Sequence, residues 1–88
     1  MKSIEIFRKM GYKQAYNSGW CVIYWLKQKT ESHLLPDTIV ISKIDYDVDF
    51  YIENEEEKCQ YSFQFFLTKE LVQAINMKIQ ELIEEKNN

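Results

Sequence analysis

The sequence predicts an α+β fold, with an antiparallel four- to five-stranded sheet packed against a short N-terminal helix and a long C-terminal helix. Three observations lead to this prediction. Apolar residues recur at helical spacing near both ends of the chain, they alternate with polar residues in the middle, and the connections between the alternating segments are short. Short connections favour antiparallel pairing, so we expect a meander with the long helix across one face.

The first helix is predicted over residues 4–10. Ser3 is a good N-cap, and Glu5 places a negative charge in the first turn, where the helix dipole favours it. Apolar residues then share one helical face, and Gly11 supplies the residue at which many helices end. Because so short a helix is unstable alone, it must pack against the rest of the domain.

Five segments are predicted as strands from their alternation and their β-branched and aromatic residues. They are residues 12–16, 20–28, 38–44, 46–53 and 59–67. The second segment, which contains WCVIYWL, is apolar on both faces. It carries Trp20, Val22, Tyr24 and Leu26 on one face and Cys21, Ile23 and Trp25 on the other. Such a strand is usually central in its sheet, or it leaves an apolar patch on one side.

The long C-terminal helix is predicted to begin after Thr68 and to continue to about residue 85. Thr68 is a suitable N-cap, and Glu70 lies in the first turn. The apolar residues that follow at helical spacing form a wide stripe for burial against the sheet. They are Leu71, Val72, Ile75, Ile79, Leu82 and Ile83.

Length and composition indicate one domain spanning residues 1–88. The N-terminus lacks the apolar core of a signal peptide, and the longest apolar run is too short for a bilayer, which needs about 20 residues. We therefore expect a soluble, cytoplasmic protein with no membrane contact. Cys21 and Cys59 do not form a CxxC pair, so we expect both to be buried free thiols.

Charge is divided unevenly along the chain. Residues 1–43 hold seven Lys/Arg and three Asp/Glu, a net of +4, whereas residues 44–88 hold four and eleven, a net of −7. This division is compatible with charge-steered association. Alternatively, the fold intermixes the charges on its surface.

An acidic segment, IDYDVDFYIENEEE at residues 44–57, is the most unusual stretch of the sequence. Alternation from Ile44 to Ile52 places the apolar residues on one side of a strand. The opposite side and the following turn carry Asp45, Asp47, Asp49, Tyr51, Glu53, Glu55, Glu56 and Glu57. Three interpretations are open: a solvated strand face, a metal site, or a surface that binds a protein partner.

A calcium loop is the weakest of the three interpretations. Counted from Asp45, the spacing matches an EF-hand at most positions, but the sixth residue, which must be Gly for a sharp turn, is Phe50. The flanking segments are also predicted as strands rather than helices. We expect no metal and no cofactor.

The sequence offers little for catalysis. His33 stands alone, and no GxSxG, P-loop, HExxH or GxGxxG pattern occurs, so no catalytic residue is assigned. Two other binding hypotheses stay open. One is a small-ligand or nucleotide pocket formed by Trp20, Tyr24 and Trp25. The other is weak single-stranded nucleic-acid binding. Its basic patch would comprise Arg8, Lys9, Lys13, Lys27 and Lys29 beside Tyr12, Trp20 and Trp25, although the acidic net charge disfavours it.

Two stretches together resemble a known group of proteins. IFRKMGY (residues 6–12) and LTKELVQAI (residues 67–75) resemble the ends of small proteins encoded by phages and prophages of low-GC Gram-positive bacteria. The matching residues are Phe7, Met10, Gly11, Tyr12, Thr68, Glu70, Leu71, Ala74 and Ile75. The resemblance implies an accessory protein of a mobile element, and small acidic proteins of this kind often bind host proteins, including defence nucleases.

The leading hypothesis is therefore a non-enzymatic phage-type binding protein, which inhibits a host defence protein through the acidic surface. The partner is expected to be a host protein that itself binds nucleic acid. The apolar side chains on the second face of the strand at residues 20–28 must also be shielded from water. Either the first helix and the 29–37 loop, with Leu34 and Leu35, pack on that face, or a second copy of the chain does. We favour the homodimer.

Overall fold

The structure, a computed structural model, describes residues 2–28, 35–51 and 68–87. These residues form α1 (Ser3–Lys9), β1 (Tyr12–Asn17), β2 (Cys21–Leu26), β3 (Thr38–Ser42), β4 (Val48–Tyr51) and α2 (Lys69–Asn87). The four strands make one antiparallel sheet in the order β1-β2-β3-β4. The predicted α+β fold is therefore confirmed, while the strand predicted at 59–67 lies outside the described residues. Neither α1 nor α2 combines the length and apolarity needed to cross a bilayer.

Helix α1 is capped differently from the sequence prediction. Ser3 lies inside the helix and is buried, and its backbone N–H and its hydroxyl both donate hydrogen bonds to the Glu81 carboxylate, each at 2.9 Å. The Glu5 carboxylate accepts a hydrogen bond from the Lys2 N–H at 3.0 Å. Gly11 ends the helix with a φ of +92°, as its sequence position predicted. The first turn is thus capped by a side chain from α2, which no local sequence pattern indicates.

The hydrophobic core lies between the sheet and both helices. Phe7 of α1 is fully buried; its ring stacks on Tyr24 at 3.9 Å between centroids and meets the edge of Tyr12 at 6.1 Å. The buried apolar cluster comprises Ile6, Phe7, Tyr12, Val22, Tyr24, Ile39, Ile41, Leu71, Ala74, Ile75 and Leu82. The face of the sheet that carries this cluster is called the covered face. Because α1 belongs to the same cluster, it does not cover the second face, so that part of the monomer alternative was wrong. Residues 29–34 of the loop, with Leu34, lie outside the described residues.

Two fully buried tyrosines on the covered face differ in hydrogen bonding. The Tyr12 hydroxyl donates to the Pro36 carbonyl oxygen at 2.6 Å. The Tyr24 hydroxyl is buried and has no hydrogen-bond partner among the described residues. Burial raises the pKa of both phenols, with the Asp37 charge adding to the effect at Tyr12 and the Glu81 charge at Tyr24. Both side chains therefore stay neutral in the physiological range.

Helix α2 begins as predicted, since the Thr68 hydroxyl accepts a hydrogen bond from the Leu71 N–H at 3.1 Å. Its buried stripe consists of Leu71, Ala74, Ile75 and Leu82. Val72, which was predicted to belong to this stripe, is 40% exposed because it lies at the margin of the buried face.

Strand β4 begins at Val48 rather than at residue 46, and β2 and β3 are also shorter than the sequence predicted. Strand β2 begins at Cys21, so that Trp20 lies in the preceding turn with 71% of its surface exposed. Strand β3 ends at Ser42, and the following turn leaves Ile44 exposed. Both predictions were wrong because apolar turn residues continue the strand-like pattern of their neighbours. Cys21 is a free thiol, half-buried rather than buried, and Cys59 lies outside the described residues.

Candidate functional site

The second face of the sheet, called the open face, presents side chains to solvent. Its residues follow from the strand register, because residues directly opposite one another share a face. One cross-strand row contains Lys13, Trp25, Thr38 and Tyr51, and the next contains Tyr16, Ile23, Val40 and Asp49. Neither α1 nor α2 packs on this face, since both belong to the buried cluster on the other side.

Three aromatic side chains on the open face are strongly exposed. Tyr16 is 54% exposed, Trp25 49% and Tyr51 42%, while Ile23 and Val40 between them are half-buried. The Lys13 ammonium lies 5.4 Å from the centroid of the Trp25 ring, a cation–π contact that orients both side chains. The result is an apolar centre with aromatic groups at its margin.

A β-bulge determines which way Tyr16 points. The register of β1 against β2 shifts between Gln14 and Tyr16, so that Tyr16 lies opposite Ile23. Without the extra residue, Tyr16 would pair with Val22 and share the covered face. The bulge therefore adds one aromatic side chain to the open face.

The residues predicted to form one acidic row occupy two different places. Asp49 and Tyr51 lie on the open face of β4, as the alternation predicted. Asp45 lies in the turn after β3, and Asp47 precedes the first residue of β4, so a single row of three aspartates was wrong. Glu53, Glu55, Glu56 and Glu57 lie outside the described residues.

Residues 43–47 form a turn, called the acidic turn, where the sequence predicted strands. Side-chain hydrogen bonds and one residue in the left-handed backbone conformation produce it. The Ser42 hydroxyl accepts hydrogen bonds from the Ile44 and Asp45 N–H groups at 3.2 and 3.5 Å. The Asp45 carboxylate accepts one from the Asp47 N–H at 3.1 Å. Tyr46 takes a φ of +61° and packs against the buried cluster. These features direct Asp45 and Asp47 into solvent at the end of the sheet.

Asp45 and Asp47 have opposite electrostatic environments although both are fully exposed. The hydrogen bond from the Asp47 N–H, followed by that with Ser42, lowers the pKa of Asp45. The negative charge of Asp45, with a smaller contribution from Asp49, raises the pKa of Asp47. The turn therefore concentrates negative charge that an opposing cation would relieve.

The acidic turn lies beside the β1–β2 turn. The Lys43 N–H donates to the Trp20 carbonyl oxygen at 2.8 Å, and the Lys43 ammonium donates to the Asn17 side-chain oxygen. Exposed Trp20 and Ile44 are thereby held at the same end of the sheet as the aspartates. The alternating pattern placed Ile44 within a strand; the Ser and Asp at positions 42 and 45, which favour turns, were the sequence signal for its exposed position.

The hypothesis of an aromatic pocket from Trp20, Tyr24 and Trp25 is wrong. Tyr24 is buried on the covered face, whereas Trp25 is on the open face and Trp20 is in a turn. Within residues 2–28, 35–51 and 68–87, no three His, Cys, Asp or Glu side chains are grouped so that they could hold a metal ion. No protein-family model, curated protein or solved structure matches this chain.

Proposed function

We propose that this chain is a non-enzymatic binding protein of a phage or prophage, whose open face and acidic turn dock onto a host protein in the host cytoplasm. The cluster of three exposed aromatic side chains on the open face is the observation that supports this proposal. Trp and Tyr side chains supply much of the binding energy in protein interfaces, and they do so where an apolar centre is surrounded by polar residues. Tyr16, Trp25 and Tyr51 around Ile23 and Val40 have that arrangement.

The dimensions of the open face indicate that the acidic turn also belongs to the interface. Four strands about 4.8 Å apart, with about five residues each at 3.3 Å, give an area of roughly 300 Å². A typical interface buries about 800 Å² on each partner. The open face can therefore supply the central contacts, while Trp20, Ile44 and the aspartates at the adjoining end enlarge the surface.

The charge of this surface defines the chemistry of the partner. Asp45, Asp47 and Asp49 favour a basic rim around an apolar pocket. Proteins that bind nucleic acid have such basic surfaces. A host defence factor that acts on nucleic acid fits this description, and the resemblance to phage accessory proteins supports the same choice.

Site-specific crosslinking tests which surface engages the partner. A photoreactive phenylalanine analogue replaces Tyr51 on the open face or Gln73 on the exposed side of α2, and capture from host lysate is compared. We expect capture of a defined protein from position 51 and none from position 73. Trp25→Ala should abolish capture, whereas Val72→Ala, which truncates an exposed apolar residue elsewhere, should preserve it. Equal capture from both positions, or full capture by Trp25→Ala, contradicts the proposal.

The homodimer predicted from the sequence would compete for the same face. Light scattering at micromolar concentration separates the two occupants. A mass near the 10.7 kDa of one chain leaves the open face available to a host protein. A doubled mass that Trp25→Ala returns to one chain would assign the face to a second copy and contradict host binding there.

A further inference from the structure

A pocket of about 490 Å³ lies between α1 and strand β1, at the end of the sheet opposite the acidic turn. Its lining residues are Ile4, Arg8, Tyr12, Lys13, Gln14 and Lys27. The volume lies within the range of about 300–1,000 Å³ that is usual for small-molecule sites. The cavity is called the basic pocket.

The lining of the basic pocket is strongly cationic. Among the described residues, it combines Arg8, Lys13 and Lys27 with one amide and no carboxylate, in a chain whose net charge is −3. None of these three cations forms an ion pair with a carboxylate of the described residues. Their mutual repulsion is relieved most by a ligand that carries more than one negative charge.

Three separate elements hold the cations around the pocket. Arg8 lies on α1, Lys13 lies on β1, and Lys27 follows the last residue of β2. The Lys27 N–H donates to the Gly11 carbonyl oxygen at 2.8 Å, which ties the end of β2 to the end of α1. The Lys13 ammonium lies over Trp25 on the open face, so Lys13 adds its charge at the margin of the pocket. The fold brings Arg8 and Lys27 to the same pocket, although they are distant in sequence.

We propose that the basic pocket binds the phosphate group of a small phosphorylated molecule. Arginine presents parallel N–H donors that match phosphate oxygens, and lysine adds a compact positive charge. Gln14 offers a further amide donor, and the half-buried Ile4 provides an apolar contact for the rest of the ligand. Tyr12 is fully buried and its hydroxyl donates to Pro36, so it supports the wall of the pocket from within and does not contact the ligand.

The basic pocket and the proposed protein interface share only Lys13, whose ammonium lies over Trp25. Arg8 and Lys27 take no part in the open face or the acidic turn, and Trp25 does not line the pocket. Binding of a phosphorylated molecule can therefore be measured on the purified chain, whatever the result of the crosslinking experiment.

The test uses amide NMR spectra at low ionic strength, where screening of exposed charges is weak. Ribose 5-phosphate, inorganic phosphate and unphosphorylated ribose are titrated separately into the protein. We expect ribose 5-phosphate to shift the amides of Arg8, Lys13, Gln14 and Lys27, while ribose leaves them unchanged. If inorganic phosphate binds as tightly as ribose 5-phosphate, the pocket recognises the phosphate group alone. If inorganic phosphate binds more weakly than ribose 5-phosphate, the sugar contributes to binding as well.

A matched pair of variants distinguishes a built site from general charge attraction. Arg8→Gln and Lys9→Gln remove the same charge from adjacent exposed positions of α1, but only Arg8 lines the pocket. We expect Arg8→Gln to weaken ribose 5-phosphate binding about tenfold, the usual cost of one charged hydrogen bond, and Lys9→Gln to change it less than twofold. Equal weakening by both variants, or no binding of any small phosphate at millimolar concentration, would overturn the proposal. Binding of only a single-stranded oligonucleotide would overturn it as well.

Discussion

The two faces of the sheet are built from alternate residues of the same strands, yet they meet different surroundings. On the covered face, Val22 and Tyr24 are fully buried beneath the helices. On the open face, neighbouring Trp25 keeps about half of its surface exposed. The comparison teaches that the hydrophobicity of a strand does not determine its burial. The helices cover one face, and the apolar residues of the other face stay partly exposed.

The largest difference between the faces should appear in unfolding free energy. Phe7→Ala removes a ring that stacks on Tyr24 in the core, and should lower the free energy of unfolding by about 3–5 kcal/mol. Trp25→Ala removes a larger side chain from the open face, but should cost only about 1 kcal/mol, because half of the ring is already exposed. Urea denaturation of both variants measures the two losses.

Val72→Ala is the control for this comparison, since it truncates an exposed apolar residue on α2. Its cost should stay below about 1 kcal/mol. If Trp25→Ala destabilises the protein as much as Phe7→Ala, the open face is buried in solution, and the distinction between the two faces is wrong.

A smaller difference is expected between the two buried tyrosines of the covered face. Tyr12→Phe leaves the buried Pro36 carbonyl oxygen without its donor and should cost about 1–3 kcal/mol. Tyr24→Phe removes a buried hydroxyl for which the described part of the chain offers no hydrogen-bond partner, so stability should stay unchanged or rise slightly. Thermal unfolding of the two variants supplies the measurement. A larger loss for Tyr24→Phe would show that its hydroxyl has a partner in solution.

The smallest effect on stability is expected at the acidic turn. Asp45→Asn should lower the pKa of Asp47 towards its ordinary value, because the nearby negative charge is removed. Carboxyl NMR titration measures this shift. An unchanged Asp47 pKa would mean that the two carboxylates are further apart than the structure places them.

The two shifts also have opposite consequences for pH dependence. The lowered pKa of Asp45 stabilises the fold above the ordinary aspartate pKa, and this contribution is lost as the pH falls through the folded value. The raised pKa of Asp47 has the reverse sign, so its contribution is lost as the pH rises through its folded value. Because the contributions oppose each other, the triple change Asp45→Asn, Asp47→Asn and Asp49→Asn should leave the fold intact, with a melting temperature close to that of the unchanged chain.

Local sequence patterns predicted the order of the elements and part of the candidate site. Helical spacing located α1 and α2, and alternation correctly placed Asp49 and Tyr51 together on one side of β4. These predictions succeeded because they depend on a repeating side-chain direction, which the sequence shows directly. The prediction that Thr68 caps α2 succeeded because that cap is also local.

The remaining features depend on contacts between distant residues or on one-residue changes of register. The bulge before Tyr16 and the turn at Asp45 each change a side-chain direction without disturbing the apolar pattern. The basic pocket unites Arg8 with Lys27 only after β1 and β2 have paired. The sequence shows the residues involved, but it does not show which of them the fold brings together.

The hydrogen bonds between Ser3 and Glu81 also bear on how the protein is made. They join residues 78 positions apart, so the group that caps the first helix is synthesised long after that helix has left the ribosome. Helix α2, whose buried residues share one cluster with Tyr24 and Ile41, is likewise made after all four described strands. The growing chain therefore lacks part of its core until α2 is made, and apolar surface that is exposed in this way favours aggregation.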